Sequence, residues 1–205
     1  MKRPPILLVG AGGHARACID VIEQEGCYAI SGLVGLPEEM GGEVLGYPIL
    51  GTNAQLAELR TTCPNALVTV GQIKSPEPRM RLFDLLTGLG FVLPHIVSPR
   101  AHVSRHASLG TASIVMHGVI VNAGARIGRN CILNSQVLIE HDAVVEDHCH
   151  ISTGVLVNGC VRVGTGCFVG SGSVLREGIQ LGEHCLVGMG MAVRTSHTAH
   201  TRITQ

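Results

Sequence analysis

Beginning at Val97, every sixth residue of the chain is Val, Ile or Leu. The run reads Val97, Val103, Leu109, Val115, Val121, Ile127, Leu133, Ile139, Val145, Ile151, Val157, Val163, Val169, Leu175, Leu181, Val187, Val193, which is 17 positions without a break. Helices repeat every 3.6 residues and strands every two, so neither explains a period of six. A hexad suits a parallel β-helix, in which each repeat supplies one short strand and one turn. Composition agrees: aromatics are 2% with no Trp, yet the chain is 45% hydrophobic and carries 27 Gly. Aromatic rings ordinarily supply much of the bulk of a core. A core built of Val, Ile, Leu and Ala implies a narrow, repetitive interior.

Two further regularities sharpen the pattern. Small side chains tend to sit two residues before the aliphatic, as at Ala101, Ala107, Ser113, Ala125, Cys131, Ala143, Cys149, Cys167, Ser173 and Cys185. Glycine often follows it, as in Ile127-Gly128, Val163-Gly164, Val169-Gly170, Leu181-Gly182 and Val187-Gly188. The pattern resembles the left-handed β-helix of hexapeptide acyltransferases, where three hexads make one triangular coil of 18 residues. Cys131, Cys149, Cys167 and Cys185 fall 18 apart, so they are expected to stack at one corner, about 4.8 Å per coil. Their expected role is that of small buried hydrophobes with free thiols, not a redox or metal cluster.

Charge excludes some partners. Fifteen Lys and Arg balance 15 Asp and Glu, which gives no electrostatic reason to bind nucleic acid or an anionic membrane. No apolar run reaches the ~18 residues of a membrane span. Met1-Lys2-Arg3-Pro4-Pro5 leads straight into a strand-like run instead of a signal peptide. The expected location is the cytoplasm, with no membrane insertion.

Residues 1–95 follow another rhythm. Pro5-Ile6-Leu7-Leu8-Val9 reads as a strand, then Gly10-Ala11-Gly12-Gly13-His14-Ala15 opens a helix through Cys18 to Ile22. A strand near Ala29–Val34, a helix near Ala54–Leu59, a strand at Ala66–Val70 and a helix near Met80–Leu86 complete a small parallel α/β unit. The loop fits G-x-G-x-x-A, which brings backbone amides at a helix N-terminus close to a phosphate. Dinucleotide binding also calls for an acid closing the second strand. Here that strand ends Gly32-Leu33-Val34-Gly35, and Glu38 and Glu39 come later.

A Gly-rich α/β unit feeding a hexapeptide β-helix resembles the sialic acid O-acetyltransferase family. That family includes bacterial N-acetyltransferases acting on nucleotide-linked amino-sugars. The resemblance spans nearly the whole chain and is most specific at Gly10-Ala11-Gly12-Gly13-His14 and at Leu133-Asn134-Ser135-Gln136-Val137-Leu138-Ile139-Glu140-His141-Asp142. It implies that His141 is the general base and that Asp142 orients its ring. It places Asn134 with Gly12, Gly13 and His14 at the nucleotide-sugar substrate, and His150, Gly159, Gly170 and Ser171 along acetyl-CoA. It further implies residues 1–95 as a nucleotide-sugar-binding domain, 96–195 as the acyltransferase β-helix and 196–205 as a C-terminal tail. A homotrimer with active sites between subunits follows, with acetyl-CoA as co-substrate and no metal.

The residues around His141 support the same role. It lies two positions beyond the inward Ile139, so its side chain projects outward. One coil away on either side stand Ala123 and Gly159, both small, leaving space for the ring and a backbone amide for a thioester oxygen. Departures from the family are Gly35 in place of the strand-end acid, Asp142 where Glu is common, and a C-terminus without G-x-P-A. Within this reading, N-acetylation of a UDP-linked 4-amino-sugar is favoured over O-acetylation of a sialic-acid-like sugar. Two other classes share features. A γ-type carbonic anhydrase would use His141, His148 and His150 for zinc, but His148 and His150 share one strand and turn. A non-catalytic nucleotide-sugar-binding scaffold would keep both domains without transfer.

Overall fold

The computed structural model describes residues 3–204. Its first part runs β1 (Pro5–Val9), α1 (Gly13–Glu25), β2 (Ala29–Val34), β3 (Glu43–Val44), β4 (Tyr47–Gly51), the short α2 (Leu56–Leu59), β5 (Asn65–Val68) and α3 (Glu77–Gly88). The sheet order is β3-β4-β2-β1-β5, so β1 is flanked in parallel by β2 and β5. The antiparallel β3–β4 hairpin was not legible in sequence. Gly41, Gly42, Gly46 and Pro48 interrupt any alternating pattern there. Helix α1 buries Cys18, Ile19, Val21 and Ile22, a spacing that follows from 3.6 residues per turn.

From Ile96–Val97 to Ala192–Val193 the chain makes seventeen two-residue strands, six residues apart. Each pairs in parallel with the strand one coil away: Ile132–Leu133 lies between Ile114–Val115 and His150–Ile151. The result is a left-handed parallel β-helix with three faces. The inward aliphatics from Val115 to Val193 are all buried, and the expected period is realised throughout. Every sixth residue from Ala112 to Gly190 has a left-handed backbone, so one such residue closes each turn. Half of these are not glycine, among them Asn130, Asp142 and Cys160. Cys131, Cys149, Cys167 and Cys185 form the expected buried ladder, each thiol donating 3.1 Å to a carbonyl of the neighbouring coil. All eight cysteines are free.

The α/β unit lies against the first face of the coil, which carries Ile96, Ile114, Ile132, His150, Phe168 and Leu186. The hexad register points Ile114 and Ile132 outward, where the sequence alone would leave them for another subunit to cover. They are instead fully buried in one cluster with Ile19 and Ile22 of α1. Ile120, on the second face, remains exposed. Polar joints fix the docking. Val97 N donates to Glu25 Oε1 at 3.0 Å, and His117 Nε2 meets Asp20 Oδ2 at 2.7 Å. Arg79, completely buried, donates to the carbonyls of Val68 and Val70 and, across the joint, to Asn130 Oδ1 at 2.7 Å.

The segment 196–205 reads from sequence as a tail, but its described residues, 196–204, continue the coil. His197 bridges to Leu181, and Arg202–Ile203 pairs with Leu186–Val187. Ile203 arrives two residues sooner than the 18-residue period would place it, so the last coil is shorter. Among the described residues no helix is long and apolar enough to cross a membrane.

Candidate functional site

The candidate residues gather at two places. The first lies at the turn between the second and third faces. His141 is exposed there, and its Nδ1 lies 3.0 Å from Asp142 Oδ2. Asp142 reaches the ring because its backbone is left-handed, with φ 58°. Its carboxylate occupies the space above Gly124, where a methyl group would collide with it. The hydrogen bond to Asp142 raises the His141 pKa above its ordinary value. Nε2 makes no hydrogen bond among the described residues and lies over Gly159.

A methyl group on Gly159 would stand 2.7 Å from both Cε1 and Nε2 of His141. Because the resemblance places Gly159 along acetyl-CoA, the sequence alone leads one to expect Gly159→Val to obstruct the cofactor without touching the base. The geometry corrects that: any side chain at 159 displaces the imidazole first. Gly159→Ala is therefore expected to lower kcat by more than it raises KM for acetyl-CoA. Steady-state kinetics on the variant will show this, and a pure KM effect would contradict it.

The second place is a cavity of about 790 Å³ between the α/β unit and the coil. It is lined by Gly12, Gly13, His14, Asn134, His150, Gly170 and Ser171, together with Gln72. Helix α1 begins here with no side chain capping its N-terminus and no acid in its first turn, so its free amides face the opening. Added side chains at Gly12 or Gly13 would meet nothing within 4 Å. Gly170 is glycine for another reason, since a methyl there would stand 2.5 Å from the backbone of Gly188 in the next coil.

His150 Nδ1 lies 2.5 Å from the carbonyl of Gln72, which makes Nδ1 the donor and leaves Nε2 a bare acceptor. The buried atoms His150 Nε2, Gln72 Oε1 and His14 Nε2 have no hydrogen-bond partner among the described residues. Burial, aided by the Arg79 charge, pushes the His150 pKa down to about 4. Burial, Arg79 and His150 together push His14 down to about 3. Both rings are neutral near neutral pH. Gln72 escaped sequence reading because no motif marks it; only the fold brings it to His150.

A third opening, about 610 Å³, lies at the carboxyl ends of β1 and β2, where neighbouring strands leave β1 on opposite sides. Such switch points are where open α/β sheets bind ligands. Gly12 lines this cleft too, with Gly35, Glu39 and Arg81. Glu39 turns back so that Oε2 accepts from Leu36 N at 2.7 Å, and the same oxygen lies 2.7 Å from where a side chain at Gly35 would start. The fold thus puts a carboxylate at the strand end where the sequence has glycine.

The three histidines considered for zinc do not converge. His148 is buried against Asn130 and Phe83, His150 faces the 790 Å³ cavity, and His141 is on another corner.

A glycine-rich α/β unit docked on a hexapeptide β-helix, with a histidine–carboxylate pair on an outer turn, defines an acyltransferase of the left-handed β-helix class. Comparison with known proteins narrows this. Residues 5–84 match the family model of the PglD N-terminal domain, and residues 160–194 match the hexapeptide repeat of succinyl-transferase. The acetyltransferase domain of PglB from Neisseria gonorrhoeae FA1090, in complex with acetyl coenzyme A, is 27% identical (TM-score 0.89, covering 98% of this chain and 95% of that one). A histidine-to-asparagine variant of perosamine N-acetyltransferase from Caulobacter crescentus, in complex with CoA and GDP-perosamine, is 28% identical (TM-score 0.88, covering 95% and 90%). WeeI from Acinetobacter baumannii AYE, 19% identical with a TM-score of 0.84, shares the fold. No curated protein sequence matches. Over nearly its whole length the chain is thus similar to nucleotide-amino-sugar N-acetyltransferases, hexapeptide-repeat enzymes with a glycine-rich α/β domain.

Proposed function

We propose that this protein transfers the acetyl group of acetyl-CoA to the amino group of a nucleotide-linked amino-sugar, with His141 as general base. The observation that carries the reading is the His141–Asp142 pair: Asp142 holds Nδ1, leaving Nε2 free beside Gly159. As the neutral amine attacks the thioester carbonyl, its nitrogen loses a proton to Nε2. Asp142 stabilises the imidazolium, and the Gly159 amide donates to the oxygen that gains charge. The tetrahedral intermediate collapses, the CoA thiolate leaves, and the imidazolium returns the proton to it. The relatives bound to acetyl coenzyme A, and to CoA with GDP-perosamine, support this choice of substrates.

Residues 1–95 take the nucleotide-sugar, through Gly12, Gly13, His14 and Asn134. His150, Gly159, Gly170 and Ser171 lie along acetyl-CoA on the β-helix of residues 96–195. Glu39 stands in for the strand-end acid at Gly35 and accepts from the nucleoside. Glu39→Ala should raise KM for the nucleotide-sugar while leaving KM for acetyl-CoA unchanged; equal KM values for both would refute this role.

His141 and the 790 Å³ cavity occupy different corners of one coil, so a single chain does not assemble the site. In a cytoplasmic homotrimer the His141 corner of one chain closes the cavity of its neighbour, a closed arrangement in which identical chains share heterologous contacts. The exposed Ile120 of the second face belongs in that contact. The reading is tested by incubating the protein with acetyl-CoA and a set of UDP- and GDP-linked sugars bearing either an amine or a hydroxyl. Thiol release with acetylated amino-sugar is the expected result. Release with hydroxyl-bearing sugars alone would move the assignment to O-acetylation, and no release with any of them would reject it.

A further inference from the structure

One side chain beside the proposed base has no part in the transfer chemistry. Cys160 follows Gly159, is exposed, and sits one coil beyond Asp142. Both residues close their turns with the same left-handed backbone, φ 58° in each case, so they stack at equivalent points of successive coils. Cys160 N donates to the His141 carbonyl at 3.0 Å, tying the two turns together. A sulfur, a ring nitrogen and a carboxylate oxygen from Cys160, His141 and Asp142 lie within 4.8 Å of one another. Gly178, at the equivalent turn position one coil beyond Cys160, presents no side chain that would crowd the cluster.

We propose that His141, Asp142 and Cys160 form a zinc site that takes the base out of use. Thiolate, imidazole and carboxylate are the donors zinc prefers, and three protein ligands with one position open to water is a stable zinc arrangement. The two anionic ligands balance the charge of the ion. Bonds of about 2.0–2.3 Å require the three side chains to close only slightly around it. The rigid turn stack holds them near that geometry.

Either ring nitrogen serves the switch. Zinc on Nε2 occupies the lone pair that accepts the amine proton. Zinc on Nδ1 displaces the hydrogen bond to Asp142 and leaves the remaining ring proton on Nε2, which then cannot accept. The site stands on its own geometry, while its inhibitory effect rests on the transferase reading above.

Cobalt(II) separates the two claims, because a thiolate ligand gives it a charge-transfer band independent of activity. Titration of the full-length protein should produce that band in the wild type and in Cys27→Ser, which removes the other exposed thiol. The band should vanish in Cys160→Ser. Its absence from the wild type, or its survival in Cys160→Ser, would overturn the site. In the transfer assay, zinc sulfate should inhibit wild type at concentrations at least about tenfold lower than those needed for Cys160→Ser. Cobalt binding with equal zinc sensitivity in both proteins would overturn the switch. A protein that binds cobalt as described but transfers to no sugar would instead refute the transferase reading and leave the metal site standing.

Discussion

His141→Ala is expected to lower kcat by about 10²–10⁴-fold, the usual cost of losing a general base, while acetyl-CoA still binds and the protein still assembles. The coil survives the change because His141 is an exposed turn residue and the inward Ile139 is untouched. His150 cannot take over. Its Nδ1 is committed to Gln72, and a pKa of about 4 makes its free nitrogen a poor proton acceptor at neutral pH.

The pH dependence follows from the same contrast. A general base works deprotonated, so the rate falls as pH drops through the His141 pKa. Asp142 raises that pKa, and the acid limb should therefore lie above the ordinary histidine range near 6.5. Asp142→Asn should shift the limb toward lower pH and reduce kcat by less than His141→Ala does. An His141→Ala enzyme retaining more than about a tenth of wild-type kcat, or an acid limb unmoved in Asp142→Asn, would assign the base elsewhere.

Arg79→Leu is expected to produce the largest loss of stability. Arg79 is fully buried, and no carboxylate is among its hydrogen-bond partners in the described residues. Its two terminal nitrogens donate to the carbonyls of Val68 and Val70 and to Asn130, while its buried Nε has no partner among the described residues. Burial lowers its pKa to about 10, which still leaves it charged at neutral pH.

Leucine removes the buried charge, which relieves some desolvation, but the acceptors stay buried. Each acceptor left without a donor costs about 1–3 kcal/mol, so the net loss should be about 3–5 kcal/mol. Because Asn130 belongs to the coil and Val68 to β5, the damage falls on the joint between the two parts. Urea unfolding of the variant measures it; a change within about 1 kcal/mol would mean the joint does not depend on Arg79.

The coil was legible because its period is geometric. One inward residue per hexad cannot vary in kind without opening a void or burying a polar group, so the aliphatic register persists for nearly six coils. The left-handed turns are also periodic, but half use residues other than glycine, which hid them. His141 and Asp142 were legible through a family resemblance and because the hexad register points His141 outward.

Features that depend on the docking of the two parts were not legible. Ile114 and Ile132 read as outward because the register says so, and only α1 lying over that face buries them. Arg79 resembles a surface helix residue until Asn130 is brought to it. Glu39 looks too late to close β2, yet the turn after Gly35 folds its carboxylate back over that glycine. Cys160 is far from His141 along the chain and meets it through the stacking of coils.

The central claim is that the base of one chain serves the cavity of another, and mixing two inactive chains tests it most directly. His141→Ala lacks the base. Gly12→Trp fills the openings that Gly12 lines, and nothing within 4 Å opposes a side chain starting there. Each variant alone should be inactive. If chains assort at random in equal amounts, about one interface in four pairs an intact base with an intact cavity. The whole population of trimers should then recover about a quarter of wild-type activity. If base and cavity worked within one chain, every chain would carry a defect. Mixed trimers, verified by native mass spectrometry, that stay as inactive as either parent would contradict the account.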